Sequence, residues 1–427
     1  MAKLTSWGNY PVIDARSYDS LDEIKTLNSG FIPRGMGRSY GDSALFNRVY
    51  NSKKLNKLIS FDEKTGVITC QTGITFDELL TIYVPKGWFL PVTPGTKFVS
   101  VGGAIASDVH GKNHHLDGTF CEHLIYIKVL VSGVLYKCSP EENRDLFLAT
   151  CGGMGLTGVI TEASFKLKPI KSAYIEQKTI KTKNLSELLE QFEKYQDATY
   201  SVAWIDCLSL GENLGRSLLM LGEHADCGTL EPHSNSSITM PFNMPSSLLN
   251  PLSVKAFNTL YFHKQRRVEQ TSTVHYDPFF YPLDGINEWN KMYGVNGFTQ
   301  YQFVIPKECG LEGLSDIITT IAESKQGSFL SVLKVFGKEN ENYLSFPTEG
   351  FTLALDFKLA EKLFPLLDKL DSIVKKYNGR IYLTKDARMS EHFFKSSYSS
   401  WEKFQKVRKK FGADLELSSY QSLRLGI

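Results

Sequence analysis

No C-x-x-C pair occurs in the chain, and its seven cysteines lie scattered at Cys70, Cys121, Cys138, Cys151, Cys207, Cys227 and Cys309. That pattern excludes a zinc ribbon and a thioredoxin-type centre, and free thiols in a reducing compartment are the simplest reading. Long apolar runs are missing too. The most apolar stretch, Leu124 to Tyr136, is broken by Lys128 and too short to cross a bilayer. The first residues, MAKLTSWGNYPVIDARSYD, lack the apolar core of a signal peptide. The expected location is cytoplasmic or peripheral at a membrane. Nor does one charge dominate: 48 Lys and Arg against 46 Asp and Glu leave a net +2, so nucleic acid is not an expected partner. No internal repeat is visible.

What is present suits a large soluble protein with a binding site. At about 150 residues per domain the 427 residues suggest two or three domains. Hydrophobic residues make up 42%, and 20 Tyr with 27 Phe are enough to line a pocket. The first 170 or so residues alternate short strands and small helices punctuated by glycine. Strands are expected at 58–61, 67–71 and 159–167, and a helix at 76–83 after Thr75. A hairpin is expected around Ser132-Gly133. An amphipathic helix should follow at 184–195. Residues 228–253, rich in Pro, Ser and Asn, read as a long loop, either a surface segment or a gate. Strands at 301–305, 329–336 and 351–357 alternate with helices at 314–323 and 360–377. That order predicts an α+β domain whose sheet is backed on one side. The tail, 390–411, reads as one basic amphipathic helix.

Three Gly-rich segments carry the first functional signal. They are Arg34-Gly-Met-Gly-Arg-Ser-Tyr-Gly-Asp42, then Pro94-Gly95-Thr96 continuing through Val101-Gly-Gly-Ala to His115, and Gly152-Gly-Met-Gly-Leu-Thr-Gly158. Clustered glycines let the backbone approach a ligand, so their N–H groups can cradle a diphosphate. The third contains Gly153-x-Gly155-x-x-Gly158, but a helical pattern precedes it and a strand follows. This is the reverse of the dinucleotide fingerprint, so a Rossmann domain is rejected. Turn glycines and one large phosphate-bearing cofactor both remain open for these segments.

At this point the chain resembles a known family. The Arg34–Asp42 loop, the Pro94 and Val101 segments and Gly155-Leu-Thr-Gly-Val-Ile160 are similar to the FAD domain of the vanillyl-alcohol-oxidase superfamily. More closely, GRSYGD, DVHGKNHH, QYQFVIP, KVFG, LSFP and RIYLTKDAR resemble the decaprenylphosphoryl-β-D-ribose oxidase family, nearly end to end. The resemblance implies a vanillyl-alcohol-oxidase-type FAD-binding domain in two parts, 1–172 and 380–427. Between them it places a substrate domain, 173–379, with an antiparallel sheet.

It also implies FAD-dependent oxidation of the C2 hydroxyl of a polyprenylphosphoryl-β-D-ribose. The 2-keto sugar would pass to a separate NAD(P)H-dependent keto-reductase, on the way to an arabinose donor for cell-envelope glycans. Peripheral membrane contact would fit such a lipid-linked substrate. A free polyol, sugar or aldonolactone is the alternative substrate, and a non-catalytic flavin-binding module the alternative class. Where many superfamily members carry a histidine bonded to the flavin, this chain has Arg38. A guanidinium is no nucleophile at neutral pH, so the FAD is expected to be non-covalent. Ala354 stands where mycobacterial members carry an inhibitor-reactive cysteine.

Carried over residue by residue, the first loop assigns Arg34, Gly35, Gly37, Arg38, Ser39, Tyr40, Gly41 and Asp42 to the cofactor. The second adds Pro94, Gly95, Thr96, Gly102, Gly103, Ala104, Ser107, His110, Gly111, Asn113 and Gly118. Gly153, Gly155, Gly158, Ile160 and Tyr382 complete the set. The chemistry needs a hydride acceptor and a group that takes the hydroxyl proton. Lys385, Tyr40 and His110 are the catalytic candidates. Lys385 would be either a base of lowered pKa or a charge that steadies the reduced flavin; a surface lysine paired with Asp386 is the plain reading. Lys112, Trp204, Tyr281, Gln302, Lys334, Phe336 and Lys385 are the expected substrate contacts, an amide and ammonium groups suiting sugar hydroxyls and a phosphate. His114-His115 lacks the further ligands a metal would need, and no metal is expected.

Overall fold

A computed structural model describes residues 1–427 apart from 26, 28–29, 235–237 and 246. Three sheets organise the chain. A four-stranded sheet holds Ala2–Thr5, Val12–Tyr18, Arg48–Asn51 and Ile32–Arg34. An antiparallel five-stranded sheet runs Leu58–Asp62, Val67–Gln71, Val159–Lys166, Leu124–Val131, Val134–Cys138. The hairpin lies at Ser132-Gly133, both at positive φ, as the dipeptide predicts. Thr75 starts the helix Phe76–Tyr83 through a capping box with Glu78, which satisfies two N–H groups that a helix start leaves unpaired.

The third sheet has eight strands in the order Glu269–His275, Tyr174–Thr182, Ser217–His224, Tyr200–Ile205, Ser331–Phe336, Gly350–Lys358, Phe298–Pro306, Arg380–Ile381. Because side chains alternate along a strand, register decides which residues share a face. Phe303 opposite Leu353, and Leu333 opposite both Leu353 and Ala203, define an apolar face. Helices Leu185–Lys194, Gly310–Ser324 and Leu363–Lys376 bury their apolar stripes on that side. The other face carries Gln300 opposite Asp356, Gln302 opposite Ala354, Lys334 opposite Thr352, and Trp204 opposite Val332. It is turned toward the glycine loops.

Beyond residue 390 the chain returns to the N-terminal region. Arg408, buried, donates to the Leu156 and Leu417 carbonyls at 3.0 and 2.7 Å, and Ser418 N–H donates to the Phe31 carbonyl. The tail is not one helix but two, Glu391–Ser397 and Trp401–Lys410. Tyr398 breaks it by turning inward, 1% exposed, to donate its hydroxyl to the Ile381 carbonyl at 2.7 Å. The 228–253 loop is also shorter than expected. Ile238–Thr239 pairs with Ile286–Asn287, and an unexpected helix, Pro251–Lys264, begins before 253. Residues 235–237 and 246 of that loop lie outside the described residues.

Candidate active site

The first glycine loop is held from outside. Arg34 donates to the Ala44 and Thr5 carbonyls at 3.2 and 2.6 Å, so its guanidinium braces the loop instead of projecting from it. Asp42 takes two hydrogen bonds from Arg424, at 2.7 and 3.1 Å, and Arg424 also reaches Asp386 at 2.8 Å. Asp42 is thereby a tie to the tail; burial raises its pKa against the pull of Arg424. Gly41 is required here: a Cβ would lie 1.8 Å from the Asp386 carbonyl oxygen. Gly37 sits at φ +66°, where only glycine is unstrained.

Held this way, the backbone N–H groups of Met36, Gly37, Arg38 and Ser39 find no acceptor among the described residues, nor do those of Gly95 and Thr96. A Cβ at Gly95 would meet nothing within 4 Å. Unpaired backbone donors clustered in two glycine loops are the donor set that a diphosphate needs, and on that observation the loops fit FAD. The Arg38 guanidinium stacks 3.9 Å from the Trp7 ring centre and 5.2 Å from Phe98, and burial lowers its pKa.

Other assigned residues serve the scaffold. Gly35 and Gly102 pack against Ser100 and Thr72, while Ser100 caps the helix Val101–Ala106 by accepting from Gly103 N–H. Ala104 is buried in that helix. Asn113 donates to the Pro91 carbonyl and Asp117, and a Cβ at Gly111 would crowd Asn113 and Thr93. Gly118, at φ +67°, precedes the Thr119–Glu122 capping box. Gly153 and Gly158 fit closely against the Ala149 carbonyl and Val129, and the Ile160 carbonyl accepts from Thr72. Gly155 is at φ +77°. The Ser107 carbonyl accepts from Tyr382 at 2.7 Å, joining the second loop to the Lys385 turn. His114 accepts from Gly337 N–H, and burial lowers its pKa to about 3; His115 bonds to the Ala198 carbonyl.

The polar face of the eight-stranded sheet meets these loops. Gln302 donates to His110 Nε2 at 2.9 Å and to Thr352 Oγ1 at 3.2 Å, while Thr352 donates to the Phe303 carbonyl. Accepting at Nε2 leaves the neutral His110 ring with its proton on Nδ1, which is buried and has no partner among the described residues. Phe336 and Tyr382 pack on that ring at 4.7 and 5.1 Å. Burial, then Lys334, His114 and Lys385, hold the His110 pKa well below its ordinary value.

Lys385 Nζ sits 4.0 Å from the centre of the Tyr40 ring. It is not paired with Asp386, which is engaged by Arg424 and by the Arg388 and Met389 N–H groups. Burial and the nearby Lys334 press the Lys385 pKa down against the pull of Asp356. Burial raises that of Asp356, which accepts from Gln300. Burial takes Lys334 to about 8, and burial with Lys334 takes Lys112 to about 7. Lys112 donates to the Phe279 carbonyl. Among the described residues neither Lys334 nor Lys385 has a carboxylate at ion-pair distance.

Two expected substrate contacts sit at the edges of this group. Trp204 donates to the Phe329 carbonyl at 3.1 Å and packs on Tyr261 at 4.8 Å. Tyr281 bonds Thr93 at 2.6 Å, on the second-loop side. Reading the sequence missed Asp356, Arg424 and Gln421, which donates to the Leu383 carbonyl at 2.7 Å. The signal for Asp356 was there: Thr352-x-Ala-x-Asp356 has the same alternation as Gln300-x-Gln302.

The FAD binding domain family matches residues 19–139. The decaprenylphosphoryl-β-D-ribose oxidase of Mycolicibacterium smegmatis is 35% identical over 414 residues, covering 93% of this chain and 89% of the relative. A putative D-arabinono-1,4-lactone oxidase of Neurospora crassa is 32% identical over 173 residues, 40% of this chain and 30% of that protein. The human Δ24-sterol reductase is 27% identical over 140 residues, 32% of this chain and 27% of its own length.

Proposed function

The chain belongs to the decaprenylphosphoryl-β-D-ribose oxidase family of FAD-dependent oxidoreductases, and from that premise we propose that it oxidises the C2 hydroxyl of a polyprenylphosphoryl-β-D-ribose to the ketone. The observation that carries this reading is a pair of buried lysines, Lys112 and Lys334, at the His110–Gln302 pair. Buried cations without counter-ions are costly and call for an anion. A phosphoryl sugar brings one, whereas a free polyol or lactone does not.

The bound isoalloxazine supplies the hydride acceptor. The chain's own residues do the rest. Lys334 and Lys112 hold the phosphate. Gln302, fixed by Thr352, and the Nδ1–H of His110 orient ribose hydroxyls. Lys385, whose pKa burial lowers against the pull of Asp356, receives the hydroxyl proton in its neutral form as the carbinol hydrogen leaves with its electron pair. With Arg38 at the superfamily's histidine position, the FAD is held non-covalently. The resulting 2-keto sugar is a substrate for a separate NAD(P)H-dependent reductase.

The test is anaerobic mixing of the holoprotein with polyprenylphosphoryl-ribose, free ribose or arabinono-lactone. Bleaching of the flavin absorbance by the phosphoryl sugar, with a product lacking a pair of hydrogens, supports the reading. Bleaching by the lactone alone replaces it with a free-sugar oxidase.

A further inference from the structure

Two residues before His110, Asp108 is fully buried at φ +40°, in the left-handed region that residues other than glycine seldom occupy. Such a conformation persists only where the surroundings over-determine it. Here they do so through the carboxylate. Oδ2 accepts from Asn340 Nδ2 at 2.8 Å, from Asn342 Nδ2 at 2.9 Å and from Ser345 Oγ at 2.6 Å, and Oδ1 accepts from Cys121 N–H at 3.4 Å. The Asn340 amide is itself oriented, because its Oδ1 accepts from Asn342 N–H at 3.1 Å. Among the described residues Asp108 has no ion-pair partner, so neutral donors alone hold it. A glycine would ease the backbone but leave three donors without their acceptor.

Those three donors belong to one segment, 337–345, which Asp108 ties to the second glycine loop. Gly337 N–H donates to His114, and Arg380 donates to the Ser345 carbonyl at 3.1 Å, so both ends are fixed. Phe336 precedes the segment and Phe346 follows it. These two rings close on His110, at 4.7 and 5.6 Å, and Phe346 stacks on Tyr382 at 4.7 Å. The His110 ring has a polar contact at Nε2, from Gln302, and none at Nδ1 among the described residues. The direction of its Nδ1–H is therefore set by packed rings, and the rings by the segment that Asp108 holds.

We propose that Asp108 is a positioning residue for the oxidation: by pinning 337–345 it closes Phe336 and Phe346 on His110 and keeps the Nδ1–H directed at the substrate. It acts through His110, and so rests on the part given to His110 above.

The holoprotein and its Asp108→Asn and Asn342→Ala variants are compared in two ways. One is anaerobic flavin bleaching by polyprenylphosphoryl-ribose. The other is the histidine-ring NMR spectrum, with His110 assigned by its absence from His110→Gln. Asparagine tolerates positive φ, so Asp108→Asn keeps the backbone while setting one donor against another. Asn342→Ala removes a donor from the opposite side and decides the matter where Asp108→Asn does not fold. Both should slow bleaching about 10–10²-fold at unchanged flavin content, the range for a misplaced group. In the His110→Gln background neither should slow it further by more than about twofold. The wild-type His110 ring should show one neutral form, protonated on Nδ1, and the variants a mixture with the Nε2-protonated form. Glu341→Ala, which breaks only the exposed pair with Arg144 in the same segment, should change neither readout. Equal slowing in both backgrounds, full rates in both variants, or an unmoved His110 resonance each overturns the proposal. Absence of bleaching in the wild type sinks the substrate assignment instead, and the NMR comparison then decides the role of Asp108.

Discussion

Along Phe298–Pro306 and Gly350–Lys358 neighbouring side chains go to opposite faces of one sheet. Tyr301, Phe303, Ile305, Leu353 and Leu355 lie beneath helices, whereas Gln300, Gln302, Thr352 and Asp356 face the glycine loops. Stability is concentrated on the first face. The second holds buried polar groups that are hydrogen-bonded among themselves and to His110. Fold and chemistry are thus written in alternate letters of the same strands.

Substitutions on each side should separate the two. Phe303→Ala, on the covered face, should cost about 3–5 kcal/mol by leaving a cavity, read as a large loss in Tm. Arg424→Met should cost about 3–5 kcal/mol by leaving Asp42 and Asp386 buried without their cation, and should loosen flavin binding through the first loop. Lys385→Met should keep Tm and flavin content while slowing anaerobic bleaching by about 10²–10⁴-fold, the range for a lost general base. Gln302→Ala should slow it by about tenfold, the worth of a neutral hydrogen bond.

The same lysines should give a pH dependence with opposite signs for folding and binding. Unfolded lysines titrate near about 10.4, whereas burial takes Lys334 to about 8 and Lys112 to about 7. Between those values the unfolded chain binds more protons, so stability should climb as pH rises from about 7 toward about 10. Anion affinity should fall over the same range as the lysines lose charge. Lys334→Met should flatten both slopes in thermal melts and phosphate titrations.

Much of this division was legible in sequence. The three glycine loops, the Thr75 cap and the strands carrying Gln302 and Lys334 follow from local pattern and family resemblance. Arg424 and Gln421 were not legible, because their partners Asp42 and Leu383 are brought near only by the returning tail. The helix Pro251–Lys264 escaped for a local reason: apolar residues on both sides erase the 3.6-residue rhythm.

The central claim is that the lysine group selects a phosphate-bearing alcohol for oxidation beside Lys385. The most direct measurement compares anaerobic bleaching by phosphorylated and unphosphorylated forms of the same ribose substrate, in wild type and Lys334→Met. The account predicts a strong preference for the phosphorylated form that Lys334→Met largely abolishes. Equal bleaching by both forms in the wild type would contradict it.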